Sequence, residues 1–243
     1  MNVNEEHITQ AMRRYLAEIY RLQHDHTYVP LSTLAEAMDH SLQSTSRMLR
    51  RLKETGLVEH FPYKGVRLTP EGEQLAYPVI RRHRLVEVFL VKVMGFDWAD
   101  VHDLADVMVE GINDVLEERI DEMTGFPQRC PHGEPIPDRE GRLPPVNDKP
   151  LSELPEGTRG RISRVRTHNP DLLRYFGKLG LYPGTPVTLV RREILGCPVR
   201  LVTERQEHVL GATAASVLWV EVESVPGSQE VASSVATGAV RNK

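Results

Sequence analysis

Cysteine is nearly absent from this 243-residue chain, which holds only Cys130 and Cys197. Two thiols allow at most one disulfide. They are too few for an all-cysteine zinc module and too isolated for a mixed cysteine-histidine finger, so both are read as structural or incidental. Long apolar runs are missing too: nothing reaches the roughly 18 apolar residues of a membrane helix. The opening residues 1–7 lack the basic and apolar regions of a secretory leader. A cytoplasmic chain without a membrane partner is expected. Positive charge is not in excess either, since the net charge of −4 argues against a wholly basic nucleic-acid coat.

What remains is ordinary globular material, 40% hydrophobic and 26% charged, enough to bury a real core. Its charge is unevenly spread. Residues 41–69 carry Arg47, Arg50, Arg51, Lys53, Lys64 and Arg67 against only Glu54 and Glu59, a local +4 that leaves −8 for the rest. Such a patch on an acidic molecule focuses phosphate contact onto one face.

Hydrophobic periodicity predicts an amphipathic helix over residues 4–24, with Ile8, Met12, Tyr15, Ile19 and Leu22 inward. A short helix should follow Pro30, its start marked by the capping-box pair Thr33 and Glu36. A third, over residues 42–55, should turn Leu42, Met48, Leu49 and Leu52 inward, with Ser41 as N-cap and Gly56 as stop. Strands over 57–61 and 65–69 about the turn 62–65 complete a winged helix-turn-helix. Residues 78–94 read as a helix apolar on most sides, of the kind often buried between subunits. A single helix is expected over 99–123. Eight of the 17 prolines fall in 127–155, which rules out a regular element there and marks a covering loop running into a linker. Alternating runs at 186–191 and 199–203 suggest a small β-barrel, followed by a polar tail.

Two sets of metal-type side chains lie downstream of the DNA-reading pattern. His83 with Glu87, and the ladder His102, Asp106, Glu110, are spaced one helical turn apart, so each set presents its donors on one face. On spacing alone the ladder reads as a solvated helix face more readily than as a ligand set; Arg50, Arg51 and Lys53 equally fit a solvated basic face, but their place on the helix before a hairpin wing favours phosphate contact. Cys130 and His132, about Pro131, are better read as packed or exposed than as ligands.

With Arg82-His83-Arg84-Leu85, Gly95-Phe96-Asp97-Trp98, Val101-His102-Asp103 and the run Pro131 to Pro137 in this order, the chain resembles the diphtheria-toxin-repressor (DtxR/MntR) family over residues 10–222. The resemblance implies a mainly α, homodimeric, metal-activated transcriptional repressor with a winged helix-turn-helix, a helical dimerisation domain and a C-terminal SH3-like (FeoA-like) small β-barrel. The corresponding segments are 1–74, 75–137, a proline-rich linker 138–156, 157–223 and a disordered tail 224–243.

It also implies a ligand set of His83, Glu87 and His102, joined by residues from the barrel. Where the family places an acid and an amide there, this chain has Asn169 and Leu172; His168 or Asp171 could substitute. The family's second site is altered, with Arg14 at one ligand position and Asp106, Val109 and Glu110 at the later ones. Either Asp106 and Glu110 join His83 in a rearranged site, or Arg14 pairs with them in place of an ion.

The expected function is a metal-dependent repressor that binds a double-stranded DNA operator. Gln43, Ser44 and Arg47 are expected near base edges and Arg50, Arg51 and Lys64 on phosphate, with Ser41 also among the DNA-binding residues. Oxygen and imidazole donors suit Mn(II) first and Fe(II) next. One alternative is a metal-independent winged-helix regulator in which Arg14 replaces the cation. Another is a metallohydrolase, for which the sequence supplies neither a recognisable pocket nor a general base, so no enzyme is expected.

Overall fold

The computed structural model describes residues 8–23, 26–192, 198–204 and 206–225. Cys197 and the tail beyond Val225, for which an incidental thiol and disorder are expected, lie outside the described residues.

Helix α1 (Gln10–Leu22) starts where Thr9 Oγ1 accepts from the Met12 amide at 3.2 Å, and it buries Met12, Tyr15, Leu16 and Ile19 on one stripe. Helix α2 (Leu31–Ala37) has Pro30 as its N-cap residue, with no side-chain cap. The Thr33 capping box is therefore not formed. Pro30, extended at φ −64° and ψ 146°, delivers the chain straight into helix two residues earlier, so Thr33 sits inside the first turn.

Helix α3 (Leu42–Glu54) is capped as expected, Ser41 Oγ accepting from the Ser44 amide. Its buried face is Thr45, Leu49 and Leu52, while Leu42 is 55% exposed, which corrects the expectation that Leu42 points inward. Thr45 is admitted because its hydroxyl lies 3.4 Å from Tyr15 Oη, which also meets His40 Nδ1 at 2.7 Å. The wing strands β1 (Val58–Phe61) and β2 (Gly65–Leu68) pair antiparallel, and Val29 adds a bridge to Val66. At Gly65, φ is +130° and a Cβ would stand 2.2 Å from the Val29 carbonyl oxygen, so the wing root accepts no side chain.

Helix α4 (Pro70–Lys92) is longer than the periodicity suggested and holds Pro78 in its interior. Its start is set by Thr69, whose hydroxyl accepts from the Gly72 amide, with a proline in the first helical position and Glu71 and Glu73 in the first turn. Ile80, Leu85, Val86, Val88 and Leu90 are buried by this chain alone, so that helix does not need a second subunit to cover them.

The single helix expected over 99–123 is two: α5 (Val101–Val109) and α6 (Asp114–Thr124). Asn113 caps α6 by accepting from the Leu116 amide, and this competing local bond breaks the run after Val109. Leu104 and Val115, apolar residues of that run, are exposed.

The proline-rich stretch contains a short strand after all, β3 (Asp148–Pro150), followed by a 3-10 turn. With β4 (Arg159–Val165), β5 (Pro186–Arg192), β6 (Val199–Val202), β7 (Glu207–Leu210) and β8 (Leu218–Ser224) it forms an antiparallel six-stranded sheet in the order β3-β8-β4-β5-β6-β7. Helices α7 (Pro170–Leu179) and α8 (Ala212–Val217) accompany it. The edge position of β3 is where a strand ending in proline is tolerated.

The chain divides into two compact units. One takes Met1–Val86, Asp106–Gly125 and Ile136–Pro144; the other takes Glu87–Ala105, Phe126–Pro135 and Pro145–Lys243. The first unit's core joins Met12, Leu16, Ile19, Leu34, Leu52, Leu57, Val66 and Ile80. The second packs Trp98, Leu151, Ile162, Leu173, Phe176, Leu189, Leu201 and Leu218. Among the described residues no helix is long and apolar enough to cross a membrane.

Candidate metal centre and nucleic-acid face

Glu87 is a carboxylate at 2% exposure on α4, a costly place for a charge without a partner. Its Oε1 lies 3.2 Å from Nδ1 of His102, on the first turn of α5, and 3.6 Å from Nδ1 of His132. Donor atoms of Glu87, Cys130 and His132 lie within 4.8 Å of one another, and all three residues are buried. His83 stands one turn before Glu87 on the same helix.

The segment carrying Cys130 and His132 is pressed onto the sheet. At Gly133, φ is +87° and a Cβ would stand 2.0 Å from the Ser163 carbonyl oxygen, while the Val165 amide donates to the His132 carbonyl. Glu134 meets Arg164 at 3.5 Å and Arg166 at 3.4 Å, and Arg164 in turn is held by Asp148 at 2.6 Å. His132 Nε2 sits 2.8 Å from the Trp98 carbonyl oxygen, which can only accept, so this nitrogen carries the proton and Nδ1 faces Glu87. Burial pulls the His132 pKa down, but the facing Glu87 carboxylate and Cys130 more than offset it and hold the imidazole well above its usual range. Cys130 and His132 were expected to be packed or exposed rather than ligating; both are buried, and that they lie against Glu87 was not foreseen. The sequence signal is the glycine that follows Pro131-His132.

The Glu87 carboxylate, with the Cys130 thiol and the His132 imidazole within 4.8 Å and His102 Nδ1 at 3.2 Å, offers a donor set that fits a divalent transition ion. His168, from the loop before α7, stacks on His102 with ring centroids 3.6 Å apart and planes at 11°. Asn169 and Asp171 do not join them. Asn169 Oδ1 caps α7, accepting from the Asp171 and Leu172 amides, and the Asp171 side chain is 95% exposed beside Arg174.

The other half of the ladder is differently placed. Asp106 Oδ1 lies 2.9 Å from His83 Nδ1 and 3.7 Å from Arg21. Glu110 falls just past the end of α5 and accepts from Arg14 Nη1 at 2.5 Å. Arg21, which spacing did not single out, thus belongs with Arg14.

On α3, Gln43, Arg47, Arg50 and Arg51 are exposed, Ser44 is half-buried, and Lys64 is exposed at the wing 5.5 Å above the Tyr28 ring. Among the described residues none of Arg47, Arg50, Arg51 and Lys53 is tied up in an ion pair, so their charge is available to a polyanion. A capped helix with free cations beside a two-stranded wing is the geometry of major-groove readers.

Three family models match in succession: the N-terminal DNA-binding domain of iron-dependent repressors over residues 7–66, their metal-binding and dimerisation domain over 69–138, and the FeoA domain over 149–222. The diphtheria toxin repressor of Corynebacterium efficiens is 30% identical over 194 residues, covering 74% of this chain and 82% of its own. A solved manganese-dependent transcriptional repressor in complex with manganese superposes with a TM-score of 0.79 at 33% identity, covering 87% of this chain and 99% of its own. The crystal structure of T. acidophilum IdeR superposes with a TM-score of 0.78 at 28% identity, covering 89% of this chain and 99% of its own. With the order of domains, the exposed recognition helix and the donor set all in agreement, the chain belongs to the diphtheria-toxin-repressor family of metal-dependent transcriptional repressors.

Proposed function

We propose that this repressor responds to Mn(II), binds a double-stranded operator as a homodimer through α3, and ties its grip on DNA to the donors around Glu87. The observation that carries the proposal is the buried Glu87 carboxylate facing two imidazoles. A bound divalent ion would be shared among these donors. His83, Glu87, His102, His132 and Cys130 would hold it, and His168 would steady the His102 ring.

The helix that carries Glu87 begins at the DNA-binding wing. Only Thr69 separates β2 from α4, and Thr69 donates its amide to the Leu57 carbonyl and its hydroxyl to the Gly56 carbonyl at the end of α3. The chain thus runs in one helix from the recognition module to Glu87, and metal control is a linkage in which the ion favours the DNA-competent population. Gln43, Ser44 and Arg47 approach base edges; Ser41, at the helix start, and Arg50, Arg51 and Lys64 face phosphate. The division of labour is DNA binding in 1–74, dimerisation and metal binding in 75–137, a linker in 138–156, an SH3-like module in 157–223 and a tail in 224–243.

Fe(II) is the second reading, favoured by one observation: the Cys130 thiol beside Glu87 is a softer donor than Mn(II) prefers. Anaerobic calorimetric titration with Mn(II) and Fe(II), on wild type and Glu87→Gln, tests the assignment. Wild type should bind Mn(II) and the variant should lose at least the roughly 10- to 100-fold that removal of a mere outer partner costs. Equal affinity in both proteins would overturn it.

A further inference from the structure

The family resemblance places a second metal position at Asp106 and Glu110, and the residues there do not fit one. We propose that the guanidinium groups of Arg14 and Arg21 stand in for that ion and latch α1 to α5 whether or not metal is bound at Glu87. The proposal rests on the family reading for the existence of a second position, not on the ion at Glu87.

Arg14 and Arg21 are seven residues apart on α1, two helical turns, so they project from one face. Asp106 and Glu110 are four apart and project from another. The pairs meet in register: Arg14 Nη1 lies 2.5 Å from Glu110 Oε1, and Arg21 Nη1 lies 3.7 Å from Asp106 Oδ1. Glu18 braces Arg21 at 3.1 Å, and Asp106 also meets the His83 imidazole at 2.9 Å. Two carboxylates are therefore answered by two cations before any ion arrives. A guanidinium stays protonated at every physiological pH, so no acid-base step vacates the position. The third residue the family would use is Val109, which offers no donor. Where an ion would hold α1 only when bound, the arginines hold it permanently, and this protein has one metal-controlled locus instead of two.

Two measurements test this. Equilibrium dialysis against Mn(II), with metal counted by mass spectrometry, should give the same number of ions per protomer for wild type and Glu110→Gln; loss of an ion in Glu110→Gln would overturn the proposal. Operator affinity of the metal-saturated protein should fall roughly 3- to 10-fold in Arg14→Glu and recover when Glu110→Arg restores the pair with reversed sign. An unchanged affinity in Arg14→Glu, or a swap that fails to restore it, would also overturn the latch. If wild type binds no Mn(II) at all, the metal reading of Glu87 falls while the charge swap still decides the latch.

Discussion

His102 Nδ1 stands 3.2 Å from Glu87 Oε1, bringing the first turn of α5 onto the middle of α4. Two helices that diverge in sequence by 15 residues are joined there by a carboxylate that has little water around it. An imidazole facing a carboxylate in this way is a pair of donors that a divalent ion would share.

Arg47 and Arg51 lie four apart on α3, both exposed, yet they should behave differently. Arg47, nearer the helix start, should contribute base-edge contacts, so Arg47→Ala costs specific operator binding about 1–3 kcal/mol. Arg51→Ala should weaken all sequences alike and flatten the salt dependence. Anisotropy titrations on operator and random DNA at several salt concentrations distinguish them; equal losses on both DNAs for both variants would refute the assignment.

Arg81 is buried among acids, 2.5 Å from Asp121 and 2.9 Å from Glu117, and it also donates to the Pro137 carbonyl. Removing it strands the buried Asp121 carboxylate. Arg81→Met should destabilise the fold by about 3–5 kcal/mol, and adding Asp121→Asn should recover part of the loss. Urea unfolding of the single and double variants measures both. A loss below 1 kcal/mol, about that of an exposed pair, would contradict the buried-pair account.

His208 on β7 is buried, and burial lowers its pKa from the usual 6.5. The native state therefore holds the neutral ring more firmly than the unfolded chain does. Its contribution to stability is complete above pH 6.5 and is lost progressively as the pH falls from 6.5 toward the lower folded value. Wild type should lose more stability between pH 7.5 and pH 5.5 than His208→Leu, by comparison of urea midpoints. Parallel losses would show that another group governs the acid limb.

Val107 on α5 and Val115 on α6 are 77% and 74% exposed, with Leu116 and Met123 also uncovered on α6. Apolar groups gathered on two helices of the dimerisation region favour a partner surface. Metal-free protein should sediment as a dimer at micromolar concentration, and Val107→Asp with Val115→Asp should shift it toward monomer. A metal-free wild-type monomer would contradict this.

The recognition module was legible because its signals are local: Ser41 caps α3, Gly56 ends it, and alternation marks the wing. Errors came where one local bond outweighed a periodic pattern. Asn113 broke a helix whose apolar spacing continued past it, and Thr69 with Pro70 started α4 well before the apolar run. Thr45 took a core place from Leu42 because a tyrosine on another helix met its hydroxyl. In the candidate metal centre, the helical spacing of His83 with Glu87 was readable and the family resemblance added His102, but His132 was not. Its approach to Glu87 depends on Gly133 lying against β4, a contact 30 residues away in sequence that no window along the chain displays. Arg21 was hidden for the same reason.

The most direct test of the central claim is operator binding measured anaerobically while metal is withdrawn. With Mn(II) present, wild type should bind DNA from upstream of its own or neighbouring genes tightly and release it on addition of chelator, whereas Glu87→Gln should bind weakly under both conditions. Tight binding by wild type that persists in chelator, or a Glu87→Gln protein that still responds to Mn(II), would contradict control of DNA binding through the Glu87 cluster.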